Sequence, residues 1–167
     1  MPRRYYRRRN VNRDKYSVEN TSIVPPRGSD WTSVPAPGEG ASVSKQFAIS
    51  VIPPTDVQGM RKAKHFTLTF SCDGGDPGLY YALVYVPQGY EPNFIQLPTA
   101  GNAISLYEPN QYVISAGVLD FSGGPCRIRS PLSRNLNSGD SIYLVMASTA
   151  SPDGFVRVNV QYAITLQ

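Results

Sequence analysis

An all-β fold of about eight antiparallel strands, packed as a two-sheet sandwich or jelly roll, is what the amino-acid order predicts for this chain of 167 residues. Three observations point there. Apolar residues recur with a period of two in several segments after residue 45. Turn residues, drawn from 15 prolines and 14 glycines, separate those segments. No stretch places apolar residues at helical spacing over three turns, and VQGMRKAK has room for one turn at most. A chain of this length holds one domain with a real core and is short for two. A closed barrel shares the same strand count, so the sequence alone leaves that topology open.

The strands follow in order. KQFAISVI sets Phe47, Ile49 and Val51 on one face and stops at Pro53 and Pro54. HFTLTFSC alternates Phe66, Leu68, Phe70 and Cys72 with Thr67, Thr69 and Ser71, the pattern of a half-buried strand. LYYALVYV is apolar on both faces and suits a central strand covered on two sides. A short strand is expected near residues 102–107. QYVISAGVLDF and CRIRS flank GGP, whose residue types signal a turn. DSIYLVMAS is again apolar on both faces. FVRVNVQYAITL puts Val156, Val158, Val160, Tyr162, Ile164 and Leu166 opposite Arg157, Asn159, Gln161 and Thr165.

Charge divides the chain differently. Residues 1–15 carry Arg3, Arg4, Arg7, Arg8, Arg9, Arg13 and Lys15 against Asp14, a balance of +6 in a chain of net +4, which leaves the remainder at −2. The basicity belongs to an arm, residues 1–16. A Pro/Ser/Gly-rich stretch, residues 17–44, reads as an extended linker without strand or helix periodicity, and residues 45–167 read as the folded domain. Trp31 is the exception in that linker, because a lone indole wants a surface to pack on. A candidate subunit interface and its own domain are both open to it.

Catalysis finds little support, and the chain is not expected to be an enzyme. His65 is the single histidine, with no nucleophile elbow beside it, so a structural or surface role is the commoner one. Asp73 and Asp76 in CDGGDPG suit a turn better than a metal site, and no cofactor motif is present. Cys72 and Cys126 lack metal-ligand spacing and read as thiols rather than a disulfide, since the N-terminus does not resemble a secretory signal. No run of apolar residues is long enough to span a membrane, and RRYYRRRNVNR has no apolar stripe to lie on one.

Nucleic acid is the partner that the arm suits. Arginine matches phosphate with a planar fork of donors, and Tyr5, Tyr6 and Tyr16 offer faces on which unpaired bases stack. Such an arm binds backbone and stacking surface without reading base order. An arginine-rich run of this length also serves as a nuclear import signal, an expected companion role. A second basic cluster, Arg61, Lys62 and Lys64, sits where a strand begins, and Arg127 and Arg129 alternate in CRIRS. These five are candidates for a basic surface facing the interior of an assembly.

The segment SLYEPNQYVISAGVLDFSGGPCRIRSPLSRNLNSGDSIYLVM, with PLSRNLNSGDSIYLV as its most specific part, resembles capsid proteins of small circular, Rep-encoding single-stranded DNA viruses, the circovirus-like and nanovirus-like group. MRKAKHFTLTFSC and PRRYYRRR are similar to the basic run and the arm of those proteins. The resemblance implies a single jelly roll of two facing four-stranded sheets. It implies a homo-oligomeric icosahedral shell of 60 copies, with the arm against a single-stranded DNA genome inside the virion, and assembly in the host nucleus. The rival expectation is a non-viral, monomeric β-sandwich module that binds nucleic acid through a basic tail.

Overall fold

The structure is a computed structural model, and it describes residues 16–27, 30–35, 43–56, 58–73, 78–93, 111–148 and 155–166. Its strands are β1 (Ser17–Ile23), β2 (Thr32–Pro35), β3 (Val43–Ile52), β4 (Arg61–Asp73), β5 (Leu79–Val86), β6 (Tyr112–Leu119), β7 (Cys126–Leu136), β8 (Ser141–Ser148) and β9 (Phe155–Leu166). Four antiparallel pairings are nested, β1 with β9, β3 with β8, β4 with β7 and β5 with β6. Rolling such a ribbon brings β4 against β9 and β5 against β8. Two sheets result, β1-β9-β4-β7 and β2-β3-β8-β5-β6. The rolled ribbon is a jelly roll, and β2 is an added strand on the edge of the second sheet. The eight strands expected in two equal sheets are therefore nine, in sheets of four and five, among the described residues.

Two of these strands lie inside the stretch read as linker. β1 is exposed from Ser17 to Asn20 and buries only Ile23 at its end, so it shows no inward period to read. Its place comes from β9, which it follows from Ser17 opposite Ile164 to Ile23 opposite Val158. β2 pairs with the start of β3, Thr32 opposite Gln46. Trp31 leads into it and is 3% exposed. Its ring stacks on Phe47 with centroids 6.0 Å apart, and its Nε1 donates to the Pro26 carbonyl at 3.0 Å. Of the two places open to Trp31, a subunit interface and its own domain, the indole packs on its own domain within this single chain. The short strand expected at residues 102–107 lies outside the described residues. CRIRS is the first part of a longer strand that continues through Pro131, which an edge strand tolerates despite the missing donor.

Alternation builds the core. Phe66, Leu68 and Phe70 of β4 are fully buried, and the Phe70 ring meets Tyr81 of the opposite sheet at 5.2 Å. Val156, Val158 and Val160 of β9 complete that layer. Each such side chain contributes roughly 1.5–3 kcal/mol by leaving water. β5 and β8 are covered on both faces, as their continuous apolar runs require. Leu83 and Leu144 enter the main core, while Ala82, Val84, Val145 and Ala147 form a second cluster on the other side.

One end of the roll is tied by a carboxylate. Asp140 is 4% exposed and accepts bonds from the Tyr85 hydroxyl at 2.8 Å, the Gln88 amide at 3.1 Å and the Asn137 amide at 2.8 Å. The same turn donates to the Thr55 carbonyl from the Gly139 amide at 3.0 Å and the Ser138 hydroxyl at 3.2 Å. Three connections, β3 to β4, β5 to β6 and β7 to β8, are joined there. Gly139 has φ +80, and a Cβ at that position would collide with the Gln88 side chain, so any other residue there is strained and displaces that side chain.

Replacing Asp140 by Ala leaves three part-buried donors without their acceptor. The expected loss is about 2–4 kcal/mol of unfolding free energy, measured by urea denaturation. A loss below about 1 kcal/mol would show that the join is dispensable. Alkali tests the same contact. Burial first, and then the hydrogen bond to Asp140, pushes the Tyr85 phenol up from 10.0 to about 12. The folded chain holds that proton more tightly than the unfolded chain. Its stabilising contribution is therefore complete below pH 10.0 and is lost as pH rises towards about 12. In Tyr85→Phe, that part of the alkaline decline should disappear from the urea midpoints.

Candidate nucleic-acid interface

Strand β4 decides where its charges point. Arg61 and Ala63 are buried, Lys62 and Lys64 are half-buried on the other face, and after His65 the inward residues become Phe66, Leu68 and Phe70. The inward set switches from odd to even numbers at His65. Register shifts at this place in the pairings with both β7 and β9, and His65 has φ 57, the left-handed region that one class of β-bulge uses. The irregularity keeps two lysines out of the core without moving the phenylalanines from it.

The outer face of the first sheet is assembled from three neighbouring strands. β4 supplies Lys62, Lys64, Thr67 and Thr69. Beside them on β7 stand Asn135, Ser133, Arg129 and Arg127, each the register partner of the β4 residue in that order. β9 adds Gln161 opposite Thr67 and Asn159 opposite Thr69. Arg127 and Arg129 are both exposed. Of the five residues expected to share a basic surface, four do so. Arg61 does not: it is 9% exposed, faces the other way, and its Nη2 donates to the Pro53 carbonyl at 3.4 Å. Arg157 also lies on β9 but pairs with Asp73 at 3.2 Å, and this is the only ion pair among the described residues. Both partners are well exposed, so the pair adds little stability.

Arg3, Arg4, Tyr5, Tyr6, Arg7, Arg8, Arg9, Arg13 and Lys15 lie outside the described residues. Tyr16, the last residue of the arm, is the first described residue. The Lys64 ammonium sits 3.4 Å from the centroid of its ring, a cation–π contact that fixes the root of the arm on the basic face. Nothing in the order of residues announces this contact, because it joins positions 48 residues apart by way of β9. Ser133 and Asn135 of β7 likewise carry no signal in the sequence that places them on this face. Alternation does not say which strands become neighbours.

The other sequence candidates find structural places. His65 is exposed at the bulge and shares a concavity of about 330 Å³ with Arg129 and Ser130, whose hydroxyl already donates to the Ile114 carbonyl at 3.2 Å. Cys72 and Cys126 are both thiols, and Cys126 Sγ donates to the Asp120 carbonyl at 2.7 Å. Asp76 lies outside the described residues. No group of three or more metal-ligating side chains exists among the described residues.

No family model and no curated protein matches the chain. Among solved structures, one of infectious bursal disease virus, Gx strain, is 12% identical, with 92% of this chain and 33% of that chain covered and a TM-score of 0.40. The VP2 subviral particle of infectious bursal disease virus is 12% identical over 92% of this chain and 42% of that one, with a TM-score of 0.22. A third, of T=1 particles derived from the virus, is 12% identical over 89% and 40%, with a TM-score of 0.19. The chain spans about a third of the length of the first of these neighbours. The fold assignment rests on the strand pairings themselves.

Arg127 and Arg129 stand on the face without holding it together. Replacing both by Gln should leave unfolding free energy within about 0.5 kcal/mol of the parent, measured by thermal and urea melts. A loss above about 1 kcal/mol would assign them to the fold instead of to a ligand.

Proposed function

We propose that this chain is a coat-protein subunit that self-assembles into a small icosahedral shell and packages circular single-stranded DNA. The arm provides the main contact with the genome and also acts as the nuclear import signal of the free subunit. One observation carries this reading. The root of the +6 arm is fastened by Lys64 to the same face that bears Lys62, Arg127 and Arg129. Cationic arm and cationic sheet therefore serve one polyanion on one side of the roll. Repeated around a closed shell, these charges offset genome phosphate that would otherwise resist confinement. The resemblance of PLSRNLNSGDSIYLV to coat proteins of single-stranded DNA viruses supports the same reading. The interior is the side expected for the basic face, and the virion and host nucleus are the expected locations.

Deleting residues 2–15 should leave the jelly roll folded, judged by an unchanged urea midpoint, and abolish co-purification of nuclease-resistant DNA. For the intact chain on a single strand, neutralising about six phosphates should give a slope of log affinity against log salt near −4. Truncated protein that still carried protected DNA at normal yield would end the arm hypothesis. Electron microscopy of the purified chain separates the shell from a monomeric module, which would remain a species of 18.3 kDa.

A further inference from the structure

A cavity of about 370 Å³ opens where the edges of the two sheets meet, lined by Lys62, Tyr85, Tyr112, Ser133, Arg134 and Asn135. Its volume lies at the lower end of the roughly 300–1,000 Å³ typical of small-ligand sites. Each wall comes from a different strand. β4 gives Lys62, β7 gives Ser133 to Asn135, and the opposite sheet gives Tyr85 and Tyr112 from β5 and β6. Two of the described lining residues are cationic and none is acidic.

Arg134 makes this cavity more than a dent. Its Nε is buried and meets no hydrogen-bond acceptor among the described residues, a state that costs free energy unless a ligand supplies the acceptor. Neither Arg134 nor Lys62 has an ion-pair partner among the described residues. The nearby carboxylate of Asp140 is no substitute, since it is taken up by Tyr85, Gln88 and Asn137. The guanidinium lies over the Tyr112 ring at 5.8 Å, and that ring meets Tyr85 at 5.7 Å. Tyr112 is still 39% exposed. Cations that suit phosphate thus stand beside an aromatic surface that suits a base.

We infer that this cavity binds one nucleotide, with its phosphate held by Arg134 and Lys62 and its base packed on Tyr112. Ser133 and Asn135 offer further polar partners to the phosphate or sugar. Lys62 belongs to the basic face as well, so a strand lying on that face can turn one nucleotide into the cavity. The choice of a nucleic-acid strand as the source rests on the proposed packaging role; a free nucleotide has the same recognisable chemistry.

The test is photo-crosslinking of the purified full chain, with adducts mapped by mass spectrometry. Three probes are used: 5-bromodeoxyuridine, its 5′-monophosphate, and a single-stranded oligonucleotide containing it. Adducts at Tyr112 or Tyr85 are expected with the phosphate-bearing probes and should fall about tenfold or more in Arg134→Gln, as loss of a charge-assisted bond predicts. If thermal melting shows that variant unfolded, Lys62→Gln serves the same comparison. The inference is overturned if Tyr112 and Tyr85 are never labelled, if neither substitution lowers the yield, or if the nucleoside labels as well as the monophosphate. Labelling by the monophosphate alone supports the cavity and assigns it to free nucleotides. Oligonucleotide adducts confined to Tyr5 and Tyr6 overturn the cavity and leave the arm reading standing. Adducts at Tyr112 with none in the arm keep the cavity and overturn the arm as the main DNA contact.

Discussion

The phase of β4 is the constraint on which the rest of the molecule depends. This strand lies between β9 and β7 and feeds both the core and the basic face. An unbroken pleat running back from Phe66 would carry Lys64 and Lys62 inward with it, and burying two unpaired ammonium groups is prohibitive. One residue in the left-handed region at His65 resolves the conflict. Before it, even-numbered residues face outward; after it, they fill the core. The single histidine of the chain thus acts through its backbone. Its consequence is chemical all the same, because it sets two lysines beside the β7 polar row and under the root of the arm.

Much of the fold was legible where burial imposes a rhythm. HFTLTFSC alternated because one face meets the core, and LYYALVYV and DSIYLVMAS ran apolar because both faces of their strands are covered. β1 was illegible for the opposite reason: five of its seven residues face water and only Ile23 is buried, so pairing with β9 and not burial makes it a strand. β2 is four residues long, too short for a period. The charges of the site could be read, but not their sides. Arg61 and Lys62 are adjacent and look equivalent, yet the pleat sends one against the Pro53 carbonyl and the other to the basic face. Arg134 and Tyr112 come together only because β7 and β6 border different sheets along a shared flank, which no local spacing encodes.

The stretch PLSRNLNSGDSIYLV, which carries the resemblance best, divides in the structure into two functions. Its NSGD portion is the turn that ties three connections through Asp140 and is strained by any side chain at Gly139. Specificity there reflects how the roll is closed rather than what the protein binds. Three residues of the same stretch, Ser133, Arg134 and Asn135, instead line the cavity between the sheet edges. Tyr85 joins the halves, since its hydroxyl serves the turn while its ring lines the cavity. A ligand in the cavity and the integrity of the turn are therefore coupled through one side chain.

The four sheet borders carry a last consequence. β2, at one border, is four residues long and ends in Pro35; β7, at another, is interrupted in its register around Pro131. β1 shows a mostly polar, exposed row, and β6 carries Gly117 close against the Tyr81 ring. Long, flat, apolar borders would invite one copy to extend the ladder of the next into a fibre. Shortness, proline and polarity at the β1, β2 and β7 borders oppose that growth. A chain with such borders can be concentrated without polymerising through its backbone, and any packing of copies is left to side chains and loops.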